Sequence, residues 1–204
     1  MQLLLTSAGF NNPKIGELFV SLLGVPPGEA FVVLIPTAGR NDEGEYSEYI
    51  DLSRKQLVAL GIGEVKTVEI LEGFDEADIA RAHALFICGG NTFSLMRAIR
   101  ETRFDLLITK FVQRGGLYTG VSAGSIIPRP SIELAGMGSE GDENDVELAD
   151  LRGLGLVPFA VFPHYRDALA EEVRSLADTL PYPVIPLTDN QALLVHDDAY
   201  LRIG

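Results

Sequence analysis

Five consecutive apolar residues, Phe31-Val32-Val33-Leu34-Ile35, constrain this chain more than any other stretch. An extended segment turns alternate side chains to opposite sides, so a strand with this composition has no face to offer water. It must be covered on both sides, as in a parallel sheet packed between helices. Leu3-Leu4-Leu5, Leu85-Phe86-Ile87 and the stretch 65–71 read the same way. Gly116-Leu117-Tyr118-Thr119 reads as another short buried strand, and 158–162, 184–187 and 193–196 add further ones. Helical patterns fall between them, at 15–23, 46–60, 75–82, 91–100, 104–114 and 167–180. In the second, Tyr49, Leu52, Leu57 and Leu60 recur near helical spacing, and Gly61 follows as a C′ glycine.

Strand and helix alternating at this cadence predict an α/β fold with an open sheet and right-handed crossovers. In such sheets the chemistry collects beyond the carboxyl ends of the strands. Four polar segments follow strands: Pro36-Thr37-Ala38-Gly39-Arg40, Gly89-Gly90-Asn91-Thr92, the turn around Ser122, and Pro163-His164-Tyr165. After Pro128 the pattern lapses. Residues 129–150 carry the acidic run Ser139-Glu140-Gly141-Asp142-Glu143-Asn144-Asp145, read first as a solvated loop and second as a lid or specificity loop. With no repeat and no linker, residues 1–204 are expected to form a single domain.

A net charge of −13 disfavours nucleic acid and anionic membrane surfaces as partners, since both are polyanionic. The one cysteine, Cys88, excludes an intrachain disulfide and lies in an apolar run, where it reads as core. No Cys/His cluster is spaced for zinc. The N-terminus lacks a basic signal-peptide region and no stretch is long and apolar enough to span a bilayer, so a cytoplasmic location is expected.

Gly120-Val121-Ser122-Ala123-Gly124 has the G-x-S-x-G form that sets a serine on a sharp strand-to-helix turn, with a helix opening at Ala123. A serine hydroxyl needs a base within hydrogen-bond reach. Of the three histidines, His83 falls at the amino edge of the sheet and reads as structural, and His196 reads as a surface residue. His164 directly follows a strand and is the best-placed base. For the acid that orients it, Asp189 stands at another strand end. Glu133 and the acidic run 140–145 remain alternatives. Oxyanion donors are available from the Ala123 N–H and from the diglycine Gly89-Gly90, while Asn91 caps the following helix.

These residues resemble peptidase E and its relatives, the S51 serine peptidases, which include cyanophycinase. The resemblance rests on Cys88-Gly89-Gly90-Asn91-Thr92-Phe93, on Leu117-Tyr118-Thr119-Gly120-Val121-Ser122-Ala123-Gly124-Ser125, on Phe162-Pro163-His164-Tyr165 and on Leu34-Ile35-Pro36-Thr37-Ala38-Gly39. It covers most of the chain in the same order. It implies a three-layer sandwich with a mostly parallel open sheet, flavodoxin-like and similar to class I glutamine amidotransferases. It also implies the chain order serine, histidine, acid, whereas an α/β-hydrolase has the acid before the histidine. On this resemblance Ser122 is the nucleophile, His164 the base, Asp189 the acid, and Gly89, Gly90 and Ala123 the oxyanion hole. Asn91, Thr92 and Arg166 are the expected substrate contacts. Peptidase E takes an N-terminal aspartate, which calls for a cation. The family's arginine lies in a segment that is shorter here, leaving Arg166, Arg174, Arg40 and Arg129 as candidates.

The expected activity is therefore hydrolysis of short peptides through an acyl-enzyme on Ser122, with no metal or organic cofactor. The protein is expected as a monomer or homodimer. The rival readings are an esterase or amidase with the same machinery, and a binding module that no longer turns over.

Overall fold

The computed structural model describes residues 1–41, 43–197 and 199–204. Its central sheet has seven strands in the order β3-β2-β4-β5-β1-β8-β9. These are β1 (Gln2–Thr6), β2 (Phe31–Ile35), β3 (Glu64–Thr67), β4 (Ala84–Ile87), β5 (Leu117–Val121), β8 (Ala192–His196) and β9 (Ala199–Ile203). From β3 to β1 every pairing is parallel, while β8 runs antiparallel to β1, and β9 antiparallel to β8. Two short strands, β6 (Ala160–Phe162) and β7 (Val184–Pro186), pair in parallel as a separate sheet. The fold is thus mixed α/β with a mostly parallel central sheet flanked by helices.

The unbroken apolar strands account for this architecture. Leu3, Leu5, Val33, Ile35, Leu85 and Ile87 face one core, and Leu4, Val32, Leu34, Ala84 and Phe86 face a second on the other side. Helices α1 (Pro13–Leu22) and α2 (Glu48–Ala59) close the second core through Ile15, Phe19, Ile50 and Leu57. The first is closed by α3 (Glu76–Arg81), α4 (Thr92–Thr102) and α5 (Phe104–Gln113) through Ile79, Leu95, Ile99, Ile108 and Phe111. Cys88 is fully buried in the second core, and burial pushes its thiol up to about 12. His83 takes the N–H of Phe31 on Nδ1 at 3.0 Å, at the amino edge of the sheet.

Two elements differ from the sequence reading. The stretch 65–71 is strand only over Glu64–Thr67, an edge strand with mostly exposed side chains. Val68 and Ile70 are buried just past its end; the Val68 N–H makes a last bond to Leu34 O at 2.9 Å, and Ile70 lies beyond the ladder. Strand β9 was not foreseen because its side chains are exposed along almost its whole length, which leaves no apolar alternation to read.

The topology gathers the loops that matter. β2 lies between β3 and β4, so the chain crosses to opposite sides after β2 and after β3. The turns beyond β2 and β4 meet there, with the Asn91 N–H donating to Ala38 O at 2.8 Å. Because β8 is antiparallel, its first residue Ala192 pairs with Thr6, the last residue of β1. Residues just before β8 therefore reach the same edge as residues just after β1 and β5.

The two glycines of the serine turn are closely packed at that edge. A Cβ on Gly120 would lie 2.3 Å from Gly124 O, and a Cβ on Gly124 would lie 2.3 Å from Ile87 O. Both approaches are to backbone, which cannot swing aside. Gly124→Ala is therefore expected to destabilise the fold by about 1–3 kcal/mol or more in urea denaturation. Gly28→Ala, whose Cβ would meet nothing within 4 Å, should stay within about 0.5 kcal/mol of the wild type.

Candidate active site

Strand β5 runs directly into α6 (Ala123–Ile126), and Ser122 forms the corner with φ 47° and ψ −109°. A positive φ is costly for a residue with a Cβ and persists only where the surroundings hold it. Here the Ser122 N–H donates to Thr6 O at 3.1 Å, and its carbonyl accepts from Ser125 N at 2.7 Å and Ile126 N at 3.0 Å. Ser125 Oγ also donates to Thr6 O, at 2.8 Å. The buried Tyr118 hydroxyl donates to Gly124 O at 2.6 Å, and burial raises its pKa so that it stays a neutral donor.

The structure brings Ser122, His164 and Asp189 together. His164 Nε2 lies 3.0 Å from Ser122 Oγ, and His164 Nδ1 lies 2.7 Å from Asp189 Oδ1. An ionised carboxylate only accepts, so the Nδ1 position carries the proton and Nε2 is left to accept from the serine hydroxyl. Asp189 sits in the turn before β8, and His164 just beyond β6. Both side chains are about half exposed, at 55% and 47%. The other acids that the sequence left open are engaged elsewhere. Glu133 accepts from the Tyr182 hydroxyl at 3.4 Å, Asp142 from the Thr92 N–H at 2.9 Å, and Glu140 pairs with Arg166.

A residue that the sequence reading passed over links this relay. Ser7 is fully buried at the end of β1. Its Oγ donates to Asp189 Oδ1 at 2.9 Å and accepts the His164 N–H at 2.7 Å. His164 also has a positive φ, 56°, and Ser7 holds that strained backbone in place. No motif marks Ser7. Its only sequence signal is a hydroxyl placed directly after a buried strand.

The diglycine turn packs against the corner. A Cβ on Gly89 would lie 3.1 Å from Ser122 Cβ. Gly90 has φ 139° and rests on Ala38 O, where a Cβ would come within 1.8 Å, so only glycine fits. The Ala123 N–H opens α6 and, like any first helical N–H, has no intrahelical acceptor. Asn91 caps α4 through Ser94 N at 2.9 Å, and its Nδ2 donates to Glu143 O at 2.7 Å. Thr92 is fully buried, with no partner for Oγ1 among the described residues. Arg166 makes a two-pronged pair with Glu140, which lowers the Glu140 pKa.

The acidic run 139–145 is mostly exposed, as a solvated loop would be, but the segment that carries it is anchored at several points. Leu134 and Ala135 are buried, Asp142 and Glu143 are tied to the start of α4, and Ser139 donates to Glu172. It walls a cavity of about 190 Å³ that opens on Ser122 and His164 and is lined also by Ile126, Arg129, Leu134 and Val161. A wider hollow of about 420 Å³ beside β3 contains none of these groups. Among the described residues, no group of three or more His, Cys, Asp or Glu is arranged to hold a metal ion, and no helix is long and apolar enough to cross a membrane.

Comparison with known proteins identifies the family. The sequence profile of Peptidase family S51 matches residues 3–203. An uncharacterized peptidase of Pasteurella multocida is 29% identical over 92% of this chain and 91% of its own length. Peptidase E of Salmonella arizonae is 33% identical over 71% of this chain, which matches 59% of that longer protein. A solved protein of Listeria monocytogenes EGD-e, assigned as a peptidase E, superposes with a TM-score of 0.79 at 26% identity, covering 99% of this chain and 97% of that one. The chain belongs to peptidase family S51, and it is a peptidase, a hydrolase.

Proposed function

We propose that residues 1–204 act as one catalytic domain that hydrolyses short peptides, with Ser122 as nucleophile, His164 as general base and acid, and Asp189 as the group that orients His164. The observation that carries this reading is the continuous relay at the cavity mouth, 3.0 Å from serine to imidazole and 2.7 Å from imidazole to carboxylate. His164 Nε2 takes the proton of Ser122 as Oγ attacks the scissile carbonyl. The tetrahedral oxyanion is held by backbone N–H groups of Ala123 and of the Gly89-Gly90 turn. The imidazolium, stabilised by Asp189, gives its proton to the leaving amine. Water then enters by the same route and releases the acyl group. The preference for short peptides is supported by the small cavity and by the 133–142 segment walling it.

Ser122→Ala is expected to lower peptide hydrolysis by at least about a thousandfold and to abolish labelling by a fluorophosphonate. Its urea midpoint should stay close to that of the wild type. Hydrolysis at the wild-type rate by the alanine variant would sink the assignment. Asp189→Asn should cost about a thousandfold or more in kcat, since the amide favours the wrong imidazole tautomer. Ser7→Ala removes a buried hydrogen-bonding hydroxyl and should lower kcat by roughly ten- to a hundredfold. Because Ser7 does not line the cavity, KM should change little. Steady-state kinetics on the best dipeptide from a library screen check both.

A further inference from the structure

Arg129 is 1% exposed, yet its Nε, Nη1 and Nη2 have no hydrogen-bond partner among the described residues. A guanidinium carries five N–H donors and cannot accept, so burying it dry is costly. Burial lowers its pKa to about 10, which leaves it cationic at neutral pH. Glu133 and Asp142 face it and contribute negative potential, but Glu133 accepts from the neutral Tyr182 hydroxyl and Asp142 holds the Thr92 N–H. Arg129 is one of the residues that line the cavity together with Ser122 and His164, so an acceptor bound there is the nearest group that could satisfy it. The cavity's other walls include Ile126, Leu134 and Val161, an apolar setting in which an ionic hydrogen bond is strong.

The position of the cavity indicates which half of a peptide it serves. In acyl transfer by a serine and a histidine, the carbonyl oxygen turns to the oxyanion donors and the amine turns to the imidazole. The cavity is bounded by Phe162, Pro163 and His164, and the Gly89-Gly90 turn is not part of its lining. It therefore lies on the leaving side.

We propose that this cavity is a carboxylate subsite for the leaving amino acid, with Arg129 as its anchor. The inference rests on the serine-peptidase reading above and specifies the substrate of that same site. The carboxylate comes either from the free C-terminus of a dipeptide or from an acidic side chain on the leaving residue. Both present two coplanar oxygens to the guanidinium fork.

The test compares kcat/KM for a cleaved dipeptide, for its C-terminal amide, and for the amide with aspartate as leaving residue. The wild type, Arg129→Met and Arg129→Lys are measured side by side. In the wild type the free acid should exceed the plain amide by about tenfold or more, the factor a charge-assisted hydrogen bond carries, or the aspartate amide should exceed it by as much. The first pattern identifies the terminal carboxylate as the ligand, the second the side chain. Arg129→Met should bring the ratio close to one. Arg129→Lys, which keeps the charge but loses the fork, should give an intermediate ratio and carries the test if the methionine variant does not fold. Equal rates for all three substrates in the wild type would overturn the proposal. So would wild-type ratios in both variants, or discrimination that follows an acidic residue on the acyl side instead. Calorimetric titration of the same acid and amide into Ser122→Ala separates this inference from the catalytic reading. Tighter binding of the carboxylate-bearing peptide supports the subsite even if the wild type proves inactive, and equal binding overturns it.

Discussion

The carboxyl end of β1 holds the site together. Thr6 O receives both the Ser122 N–H and the Ser125 hydroxyl, which fixes the corner that carries Ser122. One residue later, the Ser7 hydroxyl touches the Asp189 carboxylate and the His164 backbone. Three segments far apart in sequence are thus referenced to two neighbouring residues of a fully buried strand end. The half-exposed His164–Asp189 hydrogen bond could not do this alone, because contacts between solvent-exposed side chains contribute little rigidity. Buried hydrogen bonds to a fixed backbone do, since breaking one leaves a polar group unsatisfied.

Much of the fold was legible because the strands are apolar on both faces. Phe31 to Ile35 could be nothing but an interior strand, and the cores on its two sides follow from its alternation. Strand β9 was not legible, because an exposed edge strand needs no hydrophobic pattern. The end of β3 was misplaced for the opposite reason. Val68, on the last rung, and Ile70, beyond it, are both buried in the first core, so apolar character runs on past the strand.

The site divides in the same way. Ser122, His164 and Asp189 announce themselves by standing at strand ends beside residues with special backbone requirements. Ser7 does not, and Arg129 stood only as one of four candidate cations, since no local pattern encodes which buried partners a residue has or lacks. Arg129 does stand between Pro128 and Pro130 after two isoleucines, a setting unusual for an exposed cation. The acidic run shows the limit of composition. Its charge suggested a solvated loop, and most of it is exposed, but composition does not show that the Asp142 side chain and the Glu143 carbonyl also accept hydrogen bonds at the start of α4.

The place of β1 in the sheet also bears on how the protein is made. β1 is bordered by β5 and by β8, whose partner residues lie more than a hundred positions away along the chain. Contacts of such high sequence separation form late, because the loops they close cost entropy before any contact repays it. During synthesis, Leu3, Leu4 and Leu5 leave the ribosome early and wait for both neighbours until residues 192–196 have emerged. The hydrophobic strand that anchors the site can pair on one side with β5 but keeps its other edge open until β8 is made, and a chain truncated before Asp189 has the serine corner without the geometry to use it.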